Sequence, residues 1–126
     1  MILLDEYFQD SISNYNFTPT QEDYVCASDL LGKVNALYPD RDLRSGHRAR
    51  AKTMALIASG HRAAIDGQHE HSNAVDIVDN DNARDAALDD AQLEAAKLYR
   101  EDPNYTDTWV HLQRVPPASG HRTFKP

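Results

Sequence analysis

The chain has 126 residues, with 13 basic and 20 acidic side chains and a formal net charge of −7. A nucleic-acid-binding domain normally has a basic face, so this charge argues against a nucleic-acid partner. No stretch approaches the roughly 20 apolar residues of a membrane span, and the first residues, MILLDEYFQD, do not have the pattern of a signal peptide. We therefore expect residues 1–126 to form one domain, a monomer without a membrane partner.

Cysteine usage excludes two further classes of small domain. Cys26 is the only cysteine, so the chain has neither an internal disulfide framework nor a cysteine-based zinc site. We predict that Cys26 is a small buried apolar residue.

The first predicted element is a helix over about residues 20–38. Thr20 can cap its start, and Asp23 follows three residues later, as in a capping box. Pro39 ends the helix, and a short extended segment then runs through Leu43. Helical spacing is shown by the apolar residues Ala27, Leu30, Leu31, Val34 and Leu37.

A second helix is predicted over about 49–59, where Gly60 suits the position just past a helix end. A strand follows at 74–78, which places Val75 and Ile77 on one face and Asp76 on the other. A third helix is predicted over about 82–99.

The last predicted strand covers 109–113 and places Trp109, His111 and Gln113 on one face. Helices and strands mix without a regular strand–helix alternation, so the predicted class is α+β. We expect a small domain with a central antiparallel sheet flanked by helices, and with its site-bearing core in residues 43–126.

The tetrapeptide SGHR occurs three times, at 45–48, 59–62 and 119–122. The intervals between the copies are unequal and their flanks differ, which argues against an internal repeat. The second copy is predicted to finish a helix, and the third belongs to the C-terminal tail.

Two histidine-containing segments could carry chemistry: GQHEHSNAVD at 67–76 and WVH at 109–111. A catalytic zinc ion takes three protein ligands, typically imidazole and carboxylate groups, and keeps a fourth position open. A histidine and an aspartate on either side of a turn can reach one ion, and a distant strand can add the third ligand.

The spacing His69-x-x-Ser72-x-Ala74-x-Asp76 resembles the His-x-x-Gly-x-Ala-x-Asp signature of zinc D-Ala-D-Ala carboxypeptidases and their VanY-like and endolysin relatives. The first SGHR stands where that family has Ser-Gly-Tyr-Arg, and Trp109-x-His111 stands where it has Trp-x-His. The segment 101–126 is similar to the C-terminal end of small phage and prophage members. The resemblance covers about residues 5–126 and implies a hedgehog/DD-peptidase-like fold.

Carried over to this chain, the resemblance implies that one Zn²⁺ ion is bound by His69, Asp76 and His111. It also implies that Arg48 contacts the substrate and stabilises the oxyanion, a suitable role for a fixed cation beside a metal.

The general base is not given by the motif. Relatives often have a carboxylate or histidine three residues before the last ligand, and this chain has Thr108 there. Asp107 is our first candidate, which requires the chain to be bulged or still turning at that point. The alternatives are Glu70, Glu101 and Asp102.

Four residues are candidates for substrate binding. Ser45 and His47 belong to the first SGHR, and His47, which stands where the family has tyrosine, either packs or binds substrate. His71 either acts beside the metal or is a plain surface residue. Gln113 shares the face of His111, where it either bonds near the metal or satisfies the strand surroundings.

The expected function is hydrolysis of peptide bonds in peptidoglycan stem peptides by a zinc peptidase of phage or prophage type. The D-Ala-D-Ala bond, an L-alanyl-D-glutamate link and a crossbridge bond all remain open as the bond cut. The alternative is a non-catalytic, zinc-stabilised wall-binding or virion structural domain, which Thr108 motivates. Without a signal peptide, we expect synthesis in the host cytoplasm and action at the cell wall or periplasm, either as a free enzyme or as part of a virion.

Overall fold

The computed structural model describes residues 1–126 and contains one sheet of five strands and five α-helices. The strands are β1 (Leu43–Ser45), β2 (Ala74–Val78), β3 (Tyr99–Glu101), β4 (Trp109–Gln113) and β5 (Thr123–Phe124). The helices are α1 (Leu4–Tyr15), α2 (Gln21–Leu37), α3 (Arg50–Ala58), α4 (Ala83–Ala87) and α5 (Asp90–Ala96). A short 3₁₀ helix covers Pro103–Tyr105. The α+β class is therefore confirmed.

The sheet has the strand order β1-β2-β4-β3-β5 and is mixed rather than wholly antiparallel. Four strands pair antiparallel, as predicted, but β5 runs parallel to β3. The reason is the path of the tail. After β4 the chain reverses and passes to the outer side of β3, so β5 runs opposite to β4 and in the same direction as its neighbour.

The predicted alternation of β2 and β4 is confirmed, and it divides the sheet into two different faces. Val75, Ile77, Val110 and Leu112 are fully buried on one face, where they pack in a core built with helices α1, α2 and α5. The opposite face carries Asp76 and His111. Burial of the apolar face thus determines which side of the sheet can hold a site.

The capping box predicted for α2 is confirmed. The Thr20 hydroxyl accepts the backbone N–H of Asp23, and the Asp23 carboxylate accepts the backbone N–H of Thr20. Cys26, predicted as buried, is only half-buried on this helix. None of the five helices is long and apolar enough to cross a membrane.

Helix α1 was not among the predicted elements. Its buried residues are two aromatics and a serine, Tyr7, Phe8 and Ser11, so its apolar face is short and easily missed. It ends at Asn16, which adopts the left-handed conformation with φ 52°. The Tyr7 hydroxyl donates to the carbonyl of Ala74 at 2.7 Å and so ties α1 to the start of β2.

The single helix predicted over 82–99 is wrong. Leu88 is extended, and Asp89 starts a new helix by accepting the backbone N–H of Gln92 at 2.8 Å. Lys97 has φ 58° and ends that helix, so Tyr99 begins strand β3 instead. Side-chain capping by Asp89 interrupts what looks like continuous helical spacing.

Candidate metal centre

The side chains of His69, Asp76 and His111 meet on the solvent side of the sheet, and their ligand atoms all lie within 4.8 Å of one another. Asp76 and His111 are directly opposite each other in the β2–β4 pairing. His69 comes from the turn before β2. The nearest atoms are Asp76 Oδ1 with His111 Nδ1 at 2.9 Å and with His69 Nε2 at 3.2 Å. This group could hold a metal ion.

The histidine tautomers support that conclusion. His69 Nδ1 lies 2.8 Å from the carbonyl oxygen of Gly46, and a carbonyl can only accept, so this nitrogen carries the hydrogen. In the neutral ring, the lone pair of Nε2 then faces the Asp76 carboxylate, which is also an acceptor. The 3.2 Å contact is satisfied either by a proton on Nε2, as in an imidazolium–carboxylate pair, or by a metal ion that binds both atoms. A partner on the far nitrogen is the usual way that a metal-binding histidine is oriented.

Gln113 orients the His111 ring, as the Gly46 carbonyl orients the His69 ring. Its amide N–H donates to the carbonyl of Val115 at 2.9 Å, which turns the amide oxygen towards His111 Nε2 at 3.0 Å. His111 Nδ1 therefore faces Asp76. Gln113 also lines the cavity above the site, but its polar atoms already have protein partners.

The ionisation of this cluster follows from burial and pairing together. Burial raises the pKa of the Asp76 carboxyl, but the two histidines outweigh it and hold the pKa well below its usual range. Burial lowers the pKa of His111, but hydrogen bonding with Asp76 outweighs it and leaves the pKa raised. The carboxylate is thus held in its charged form by the histidines beside it.

A cavity of about 700 Å³ opens over these residues. Arg48, the arginine predicted to contact substrate, lies in its wall, and its backbone N–H donates to the His69 carbonyl at 3.0 Å. The Arg48 Nε atom is buried without a hydrogen-bond partner. Buried guanidinium nitrogens without a protein partner are uncommon, so this side chain is not held in place by hydrogen bonds at Nε.

The structure does not bring Asp107 into the cavity. The chain does turn there, since Thr108 has φ 70°, but the exposed Asp107 carboxylate accepts the side-chain amide of Asn82 at 3.0 Å. Thr108 is held by Arg44, whose guanidinium donates to the threonine hydroxyl at 2.7 Å. Asp107 therefore lies on a turn, as its candidacy required, but its carboxylate is directed away from His69, Asp76 and His111.

Among the alternative bases, only Glu101 lines the cavity. Glu70 pairs with Arg50 and accepts the backbone N–H of Asp66. Asp102 accepts the backbone N–H of Asn104 and caps the 3₁₀ helix. Glu101 is nearly buried on β3, next to the strand that carries His111.

Three predicted substrate-binding residues lie outside the cavity. His47 is 3% exposed, stacks on the Phe17 ring and bonds to the Ser11 hydroxyl at 2.7 Å, so it packs rather than binds. His71 pairs with Asp66 at 2.7 Å on the surface. Ser45 is half-buried on the edge strand opposite Asp76.

Sequence reasoning missed Arg62. Its SGHR copy does end a helix as predicted, with Gly60 at φ 83°, but the arginine itself continues into the cavity wall. There its guanidinium donates to Glu101 at 3.0 Å. The repeated arginine was the available signal, since Arg48 of the first copy lines the same cavity.

The C-terminal tail supplies the remaining wall. The cavity is also lined by three residues beside the third SGHR copy: Pro117, Ala118 and Phe124. The Phe124 ring lies edge-on to the His111 ring, with 6.1 Å between the ring centroids. The first two copies thus each supply an arginine to one cavity, and the third copy lies between residues that line it.

Comparison with known proteins adds no relative. No family model, no curated protein and no solved structure matches this chain.

Proposed function

We propose that the protein is a zinc peptidase that hydrolyses peptide bonds in peptidoglycan stem peptides. The observation that carries the proposal is the buried group of His69, Asp76 and His111 at the floor of a cavity that also contains Arg48 and Glu101. The motifs at these positions resemble those of the VanY-like carboxypeptidases, and we propose the same hedgehog/DD-peptidase-like fold.

The choice of zinc rests on the donor set. Two imidazole nitrogens and one carboxylate oxygen are typical of catalytic zinc, whereas calcium and magnesium prefer oxygen ligands throughout. A zinc ion bound here would polarise the scissile carbonyl and lower the pKa of water.

Glu101 and Arg48 carry out the proton transfer and the charge stabilisation, respectively. The Glu101 carboxylate accepts a proton from the attacking water and returns it to the leaving amine. Arg48, which lies in the cavity wall, donates to the oxygen on which negative charge develops. Gln113 keeps the His111 ring in position.

Digestion of purified peptidoglycan by the zinc-loaded protein tests the proposal, with the products identified by mass spectrometry. We expect new peptide ends, their loss after treatment with a chelator, and their return when zinc is added back. His69→Ala is the control, and it should bind zinc weakly and release no peptides.

The bond that is cut follows from the masses of the new ends. If zinc binds and several wall types stay intact, the peptidase proposal fails. Retention of the protein on that intact peptidoglycan would instead support the wall-binding alternative.

A further inference from the structure

Whereas the whole chain is acidic, cationic side chains outnumber anionic side chains in the cavity. Three cationic side chains line it, Arg48, Arg62 and Lys125, against the two carboxylates Asp76 and Glu101. The Asp76 carboxylate is paired with His69 and His111, and the Glu101 carboxylate is paired with Arg62. Arg48 and Lys125 form no ion pair. In a chain of net charge −7, unpaired positive charge in the cavity favours an anionic ligand there.

Arg62 is the cation best placed to select such a ligand. A single nitrogen, Nη2, makes both of its hydrogen bonds, to Glu101 Oε1 at 3.0 Å and to the Tyr105 carbonyl at 3.4 Å. The side chain is 57% exposed, and its Nε and Nη1 groups make no hydrogen bond. These free donors match the fork with which arginine binds a carboxylate.

The partner of Arg62 is the residue that the proposed reaction needs as its base. While the ion pair persists, one oxygen of Glu101 is engaged by the guanidinium. A carboxylate bound at the free Nε and Nη1 donors competes with Glu101 for the same guanidinium charge, which weakens the hold of Nη2 on that oxygen and leaves it able to accept a proton.

We propose that Arg62 binds a substrate carboxylate close to the scissile bond and thereby releases Glu101. This inference rests on the proposed function and makes it more specific. The substrates are peptides with a free acidic group near the cleaved bond, and their amidated forms are poor substrates.

The test compares three peptides: L-Ala-γ-D-Glu-L-Lys-D-Ala-D-Ala, the same peptide with the glutamate carboxyl amidated, and the same peptide with the C-terminal carboxyl amidated. Affinities are measured by calorimetry with metal-free protein, which cannot cleave them. The kcat/KM values are then measured with zinc-loaded protein. We expect at least one amide to bind about tenfold more weakly than the free peptide.

Arg62→Gln should remove that discrimination in both measurements while leaving zinc affinity unchanged. Arg41→Gln is the matched control, since Arg41 pairs with Asp40 outside the cavity, and it should retain the discrimination. Discrimination that persists in Arg62→Gln, or no binding of any peptide, overturns the inference.

The outcomes separate this inference from the proposed function. Cleavage without preference for the free carboxylate leaves the peptidase standing and removes the role of Arg62. Carboxylate preference without cleavage by the zinc-loaded protein preserves the binding role and removes the peptidase.

Discussion

The ionisation and the orientation of the side chains at this site are set by their hydrogen-bond partners. The Asp76 carboxyl is buried, which alone would favour its neutral form, yet its pKa is held low because two histidines adjoin it. His69 is oriented by a backbone carbonyl and His111 by Gln113. The motif resemblance predicted that these three residues come together, and a turn and two paired strands bring them there.

The identity of the base is the sharpest prediction at this scale. Glu101→Gln should lower kcat by about 100-fold or more, because the amide cannot accept the proton, while zinc affinity stays within about twofold. Asp107→Asn should keep nearly full activity, since its carboxylate contacts only Asn82 outside the cavity. Steady-state rates and zinc titration of the two variants provide the comparison.

The reverse result, an inactive Asp107→Asn beside an active Glu101→Gln, would show that the turn before β4 rearranges in the bound state. It would also remove the release step inferred for Arg62. Equal activity in both variants would contradict a carboxylate base at either position.

At the scale of elements, the turn that carries His69 is attached to the start of α2. Ser72 is fully buried, with φ 61°, and its hydroxyl donates to the Asp23 carboxylate at 2.8 Å. Burial raises the pKa of Asp23, but hydrogen bonds from Thr20 and Ser72 outweigh it and leave the pKa lowered. The capping aspartate therefore fixes both a helix start and the ligand turn.

Two substitutions of Ser72 separate the effect of backbone strain on stability from the effect of this hydrogen bond. Ser72→Ala and Ser72→Gly both lose the hydroxyl, but only alanine keeps a Cβ in the left-handed conformation. We expect the alanine variant to be less stable than the glycine variant by about 1 kcal/mol. Urea unfolding of both variants measures the difference, and a more stable alanine variant would show that the turn does not keep this conformation.

At the scale of the whole molecule, α1 covers the back of the site. The backbone N–H of His47 donates to the Tyr7 carbonyl at 2.9 Å, and a Cβ on Gly46 would collide with that same carbonyl. The glycine of the first SGHR is thus needed because a helix packs against it. His47 then occupies a closed space between α1 and the ligand turn.

This packing predicts a pH dependence of folding. Burial lowers the pKa of His47 below 6.5, and the nearby Asp23 and Glu70 only partly offset the effect. The unfolded chain therefore binds a proton first, so His47 contributes stability above about pH 6.5 that is lost as the pH falls towards its folded pKa. The slope from this residue is at most about 1.4 kcal/mol per pH unit.

Urea midpoints of metal-free wild type and His47→Gln at pH 7.5 and pH 5.0 test this dependence. The variant should lose less stability between the two pH values, because it lacks the contribution of His47. Contributions from His69 and His111 are the same in both proteins and cancel in the comparison. An equal loss in both proteins would mean that His47 is not buried in its neutral form.

The sequence by itself determined the parts that depend on local spacing. The capping box of α2, the two-residue alternation of β2 and β4, and the helix end at Gly60 follow from short-range chemistry. The grouping of His69, Asp76 and His111 was expected from the resemblance of their motifs, and the alternation of strand faces places Asp76 and His111 on the same side of the sheet.

Only the tertiary structure decided which other side chains reach the cavity. Glu101 and Arg62 are 39 residues apart and meet because β3 pairs with β4 while the loop after α3 lies over it. Asp107 points elsewhere because Asn82 binds it, and His47 packs because α1 covers it. Such contacts join residues that are distant in sequence, so the local periodicity of the chain cannot predict them.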